Sequence, residues 1–124
     1  AARLRLALDL PDTESALTAF IVVVQALVRR LTSAEASDFV SQLPRGVQDR
    51  LLELPAGADR SVTLEAIHGE MANRLNVDQA QAATLVRRVA AFLPEVVSAG
   101  EFEQIVDQLP SDMKGVFAKP HTFD

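Results

Sequence analysis

Apolar residues recur at helical spacing along most of the chain, and no window alternates between apolar and polar residues as a half-buried strand does. The pattern therefore predicts an all-α fold, a compact domain of about seven helices. The predicted helices span about 13–31, 33–43, 45–53, 63–75, 79–97, 99–109 and 111–118.

The second half of the chain repeats the first at an offset of 66 positions. When residues 12–51 are laid on 78–117 without gaps, ten of the forty pairs are identical, and both halves carry a Gln-Leu-Pro tripeptide, at 42–44 and 108–110. Since the shared positions are helix starts, helix ends and apolar positions, we predict two similar helical repeats packed around one core. The predicted single domain, 1–124, divides into repeat one at about 1–54, a linker at 55–62, repeat two at 63–118 and a tail at 119–124.

Side chains suited to helix capping precede the predicted helices. Asp12 and Asp78 stand before the two long helices, where a carboxylate accepts hydrogen bonds from the free N–H groups of the first turn. Residues 32–35 (TSAE) and 98–101 (SAGE) have the S/T-x-x-E spacing of a capping box. By the 66-residue offset, residues 3–10 are predicted to be the remnant of a helix that matches 63–75.

The two long helices differ at two adjacent positions. Ile21 and Val22 of the first correspond to Arg87 and Arg88 of the second. The first helix is therefore apolar nearly all round, whereas a surface helix needs an apolar stripe of only about 100°. We expect it to be the central helix of the fold or to offer a face to another subunit. Pro94 predicts a kink or break in the second long helix.

Composition narrows the possible functions. The 124 residues carry a formal net charge of −5, which disfavours nucleic acid and anionic membranes as partners. The absence of Cys excludes disulfides and thiol chemistry. It does not decide the compartment, although a reducing interior fits, and the predicted location is cytoplasmic. The apolar run at 16–28 is shorter than the roughly 20 residues that span a bilayer, so no membrane partner is expected.

Few side chains suit a reaction or a ligand. Glu65 and His68 have the E-x-x-H spacing of a di-iron carboxylate site, but such a site needs a second copy, and Ala118 replaces the glutamate before His121. The glycine-rich phosphate motifs and the G-x-S-x-G nucleophile motif are also missing. We therefore predict no catalytic residue, no metal and no cofactor. The candidate ligand-site residues are His68, Arg87 and Arg88, at the edge of a pocket between the repeats.

Two segments resemble a known family. Residues 24–44 (VQALVRRLTSAEASDFVSQLP) and 100–110 (GEFEQIVDQLP) are similar to the bacterial domain-of-unknown-function family 2267, and the likeness extends over about 15–118. The resemblance implies an all-helical fold of two repeats. It implies no activity, cofactor or site residue.

Three functional hypotheses stay open. The first is a non-enzymatic interaction module that forms a homo-oligomer or docks a protein partner, because the first long helix is over-apolar and catalytic motifs are missing. The second is a binder of small molecules or anions, or an enzyme, with a pocket between the repeats. The third, DNA binding, is the least favoured and needs a basic patch formed by Arg29, Arg30, Arg45, Arg50, Arg74, Arg87 and Arg88.

Overall fold

The computed structural model describes residues 2–43, 47–49, 63–109 and 111–117. The described residues contain helices and no strand, which confirms the all-α prediction. The predicted linker and tail lie outside these ranges, and of the predicted helix at 45–53 only the helical residues 47–49 are described. The helices are α1 (Ala2–Leu8), α2 (Thr13–Arg30), α3 (Ser33–Ser41), α4 (Leu64–Leu75), α5 (Gln79–Phe92), a 3₁₀ helix (Leu93–Glu95), α6 (Ala99–Asp107) and α7 (Ser111–Phe117).

The long helix α2 is buried on nearly all sides within one chain. Helices α1, α3, α4 and α5 pack against it. Ile21 and Val22 are only 3% and 2% exposed, and between residues 16 and 28 only Leu17, Thr18 and Gln25 are partly exposed. The sequence offered two explanations for the wide apolar surface of α2, a central position in the fold or a face for another subunit. The central position is confirmed. Within the described residues, α2 has no exposed apolar side chain.

The second long helix, α5, packs against α1, α2, α4 and α7 and presents Arg87 and Arg88 to solvent. It ends at Phe92, so the prediction that it continues to about residue 97 is wrong. Pro94 has no N–H to continue the α-helical hydrogen bonds, and the chain turns into the 3₁₀ helix there. The predicted break at this proline is therefore confirmed.

The predicted helix caps are present. The side chains of Asp12, Thr32, Asp78 and Ser98 each accept a hydrogen bond from the backbone N–H three residues on. At α5 the cap is a full capping box, because Gln81 Oε1 also accepts the N–H of Asp78, at 3.2 Å. These caps fix where four of the helices begin.

The first and fourth helices end in the same way. Asp9 after α1 and Asn76 after α4 have left-handed backbones, with φ of 55° and 57°. At both ends the N–H of the next residue bonds the carbonyl five positions earlier, as in a Schellman motif. Asp9 and Asn76 are 67 positions apart, whereas the two repeats were aligned at an offset of 66. The 66-residue offset therefore misplaces α1 by one residue relative to α4. The extra residue is Pro11, which lies between the end of α1 and the cap at Asp12. The two similar helix ends agree with a duplication, which stays a prediction.

Candidate functional site

A groove of about 380 Å³ lies where the end of α1 meets the first half of α5. Its α5 wall is a single stripe of the helix, because side chains three and four positions apart share a face. Apolar and polar side chains line it in similar proportion. It lies between predicted repeat one and predicted repeat two, where the pocket was expected. The lining residues are Leu8, Asp9 and Leu10 on the α1 side and Val77, Ala80, Gln81, Thr84, Leu85 and Arg88 on the α5 side.

Arg88 joins the two walls of the groove. Its Nη1 atom donates a hydrogen bond of 3.0 Å to the backbone carbonyl of Leu8. That oxygen lies at the C-terminal end of α1, where carbonyls have no partner within the helix. Because a guanidinium has several N–H donors in a rigid fork, one bond to the backbone orients the fork and leaves other donors for a ligand.

Asp9 places a negative charge on the opposite wall. Its left-handed backbone ends α1 and is set by the Schellman hydrogen bonds, so the position of its Cα is tied to the helix end. The residue is exposed, and in the described part of the chain its carboxylate forms no ion pair. The groove thus carries one cationic and one anionic side chain.

The two uncharged polar side chains of the groove are held by the backbone of α5. Gln81 Oε1 is used by the capping box, which leaves its amide N–H groups as donors. The Thr84 hydroxyl donates to the carbonyl of Ala80 at 3.1 Å and accepts from Arg87 Nη2 at 3.2 Å. Since the hydroxyl proton is bound to a carbonyl and not to a base, Thr84 is not arranged as a nucleophile.

Of the three predicted site residues, only Arg88 lines this groove. His68 is half-buried on α4 and lies close to Arg87, outside the groove. Burial lowers the pKa of His68, the positive charge of Arg87 lowers it further, and the charge of Glu65 opposes both. Within the described ranges no group of three or more His, Asp or Glu side chains is placed to hold a metal ion, so the E-x-x-H pair has no further ligands there.

The groove also contains residues that the sequence analysis missed, above all Asp9 and Gln81. No motif marked them. For Asp9, the usable signal was the Asp-Leu-Pro-Asp run at 9–12, which is typical of a helix end followed by a new cap. For Gln81, it was the D-x-x-Q spacing from Asp78, which is typical of a capping box.

The predicted basic patch is only partly described. Arg45 and Arg50 lie outside the described residues, and Arg74 pairs with Glu70 on its own helix, with Nε 3.2 Å from Oε2. DNA binding stays a prediction. Among the residues whose structure is given, no helix is both long enough and apolar enough to cross a membrane.

A second polar contact joins α3 to α6 through the glutamine of each Gln-Leu-Pro motif. Gln42 Oε1 accepts the backbone N–H of Ser98 at 2.8 Å, and Gln42 Nε2 lies 3.5 Å from Glu101 Oε1. At the other end of the contact, Gln108 lies close enough to the Glu35 carboxylate to lower its pKa. The glutamine at the end of each capped helix thus lies near the start of the other. The capping box predicted at 98–101 is incomplete, because Gln42 and not Glu101 accepts the Ser98 N–H.

The carboxylates at this contact differ in their environments. The Thr32 hydroxyl and Gln108 lower the pKa of Glu35. Burial raises the pKa of Glu101, and the negative charges of Asp38 and Glu35 raise it further. Glu101 Oε2 is enclosed and has no hydrogen-bond partner among the described residues. The ionised Glu101 is therefore a destabilising feature of this contact.

We expect Glu101→Gln to raise the free energy of unfolding by about 1 kcal/mol at neutral pH, because it removes a poorly solvated charge. The folded protein holds the Glu101 proton more tightly than the unfolded chain does. Above the pKa that Glu101 has in the folded protein, its ionisation therefore lowers the free energy of unfolding. The lost stability is regained as the pH falls through this pKa toward 4.5, the ordinary value of a glutamate. Urea denaturation at about pH 7.5 and about pH 5 should show the advantage of the variant shrinking on acidification.

Glu103→Gln is the matched control for this prediction, since Glu103 is exposed on the same helix. Its stability should stay within about 0.5 kcal/mol of the unsubstituted chain. Destabilisation by Glu101→Gln at neutral pH would show that the charge of Glu101 is favourable at this contact.

A comparison with known families found a match that covers most of the chain. The family model described as "Uncharacterized conserved protein (DUF2267)" matches residues 2–116 of the 124-residue chain. The chain belongs to this family. The DUF2267 match runs from α1 into α7 and thus includes both walls of the groove and both sides of the α3–α6 contact. No curated protein and no solved structure matches the chain. The DUF2267 description names no ligand and no reaction.

Proposed function

We propose that this DUF2267 protein is a non-enzymatic binding module that takes a small molecule in the groove between α1 and α5. The observation that carries the proposal is the groove itself, with a volume of about 380 Å³ and an oriented guanidinium on its wall. Ligand pockets are commonly concave sites of about 300–1,000 Å³ in which apolar surface surrounds a few placed polar groups. The groove has that size, and polar and apolar surface line it in similar proportion.

The chemistry of the lining supports binding and not catalysis. The Thr84 hydroxyl proton is held by the Ala80 carbonyl. His68 lies outside the groove. A nucleophile with an adjacent base is therefore missing from the described lining.

Self-association and docking of a protein partner stay predictions with less support than the groove. They were inferred from the apolar surface of α2, which is buried in the chain. The single large apolar side chain that is exposed among the described residues is Leu6, at 68%. Isolated apolar side chains are normal on monomers and do not mark an interface.

A thermal-shift screen of the full chain with metal ions, nucleotides, phosphorylated metabolites and amino acids tests the proposal. A ligand at about ten times its Kd should stabilise the protein by about 1.4 kcal/mol, which raises Tm by several degrees. Ala80→Trp should abolish that shift, because the indole fills the groove from an exposed position on its α5 wall.

Ala91→Trp is the matched control, since Ala91 is exposed on α5 outside the groove. This variant should keep the full shift. The chain has no other Trp and no Tyr, so the fluorescence of either indole also reports whether the ligand binds near it. No shift from any compound, or an unchanged shift in Ala80→Trp, would contradict the proposal.

A further inference from the structure

The two charged side chains of the groove have opposite signs and come from different elements, and the Arg88 guanidinium reaches across to the end of α1. Asp9 ends α1, and Arg88 lies on the exposed side of α5. In the described part of the chain no ion pair joins them, and the hydrogen bond of Arg88 goes to the Leu8 carbonyl. Each charge is therefore available to a ligand in the groove.

This arrangement discriminates between classes of ligand. A simple anion is attracted by Arg88 and repelled by Asp9. A simple cation is attracted by Asp9 and repelled by Arg88. Both charges lie in one groove of about 380 Å³, which is small enough that salt does not fully screen either charge from a bound ligand. A ligand that carries both signs gains both attractions and meets neither repulsion.

The groups around the two charges fit the two ends of such a ligand. The guanidinium of Arg88 is oriented by the Leu8 carbonyl, and a guanidinium fork binds a carboxylate through two parallel N–H donors. Asp9 has only acceptor oxygens when ionised, which suits an ammonium group. The apolar body of the ligand would contact Leu10 and Val77, the two apolar lining residues that are partly exposed.

We infer that the groove binds a zwitterion of the free amino-acid type, with its carboxylate on Arg88 and its ammonium group on Asp9. This inference rests on the proposed function, since it names the ligand class of the same groove. The probe is leucine, whose side chain matches the apolar part of the lining. The comparison ligands are N-acetyl-leucine, which keeps only the negative charge, and leucine amide, which keeps only the positive charge.

Titration calorimetry on the full chain should show leucine binding at least about tenfold more tightly than either comparison ligand. Asp9→Asn should weaken leucine about tenfold and strengthen N-acetyl-leucine, because it removes the attraction for one and the repulsion for the other. Asn is suited to this test, since it adopts the left-handed backbone that ends α1. Arg88→Lys, which keeps the charge and loses the fork, should weaken both leucine and N-acetyl-leucine.

Asp107→Asn and Lys114→Gln are the matched controls, because both residues are exposed and neither lines the groove. They should leave leucine binding unchanged. The inference is overturned if N-acetyl-leucine binds the unsubstituted chain as tightly as leucine does, or if leucine fails to bind while another compound binds in a manner that Ala80→Trp abolishes. In both of those results the proposed function survives. If no compound of the screen binds at all, the proposed function fails as well.

Discussion

Val22→Arg is expected to unfold the protein. Val22 is 2% exposed in the middle of α2, and among the described residues the core contains no buried polar or charged side chain that could pair with an arginine. An unpaired buried charge costs several kcal/mol, which is a large part of the roughly 5–15 kcal/mol that stabilises a domain. Arginine is the residue found 66 positions later, at Arg88 of α5, where it is exposed. The substitution therefore tests whether position 22 is buried as position 88 is not.

Circular dichroism and urea denaturation measure this effect, and the control is Arg87→Ile, which places the residue of position 21 at its counterpart on α5. Arg87 is exposed, so its replacement should change the free energy of unfolding by less than about 1 kcal/mol. If Val22→Arg gives a folded monomer while the unsubstituted chain is a dimer by light scattering, then α2 is an interface. That result would support the self-association hypothesis and contradict the buried position of α2.

Phe20→Ala is expected to lower the free energy of unfolding by about 3–5 kcal/mol. Phe20 is 2% exposed on α2, and its ring stands edge-on to that of Phe92 on α5, with centroids 6.4 Å apart and planes at 87°. Truncation removes apolar burial, leaves a cavity and deletes an aromatic pair that joins the two long helices.

Urea denaturation also measures this loss, with Leu6→Ala as the control at an exposed apolar site. The control should stay within about 0.5 kcal/mol of the unsubstituted chain, because Leu6 is 68% exposed. A loss below about 1 kcal/mol for Phe20→Ala would show that the contact between α2 and α5 contributes little to stability.

Local signals in the sequence were sufficient to predict most of the fold. The caps at Asp12, Asp78, Thr32 and Ser98 depend on side chains and backbone three residues apart, so the sequence alone indicates them. The break at Pro94 is also local, since it follows from the missing N–H. The burial of α2 was one of two alternatives, because a wide apolar surface does not show what covers it.

The features that were missed depend on contacts between distant segments. Leu4 and Leu8 of α1 belong to the core, but a helix of seven residues is too short for its periodicity to show which face is buried. The groove needs the end of α1 to lie on α5, and Asp9 enters it only because α1 ends in a left-handed residue. The binding of Ser98 by Gln42 joins residues 56 positions apart, and no spacing rule predicts it.

Backbone amide shifts of the ¹⁵N-labelled full chain test the groove most directly. The chain should be titrated with leucine and with each compound that raises Tm in the screen. We expect the largest changes at the amides of Asp9 and Leu10 and along residues 77–88, with little change in α3 and α6. Largest changes at α3, α6 or α7, or no change with any compound, would contradict a binding site between α1 and α5.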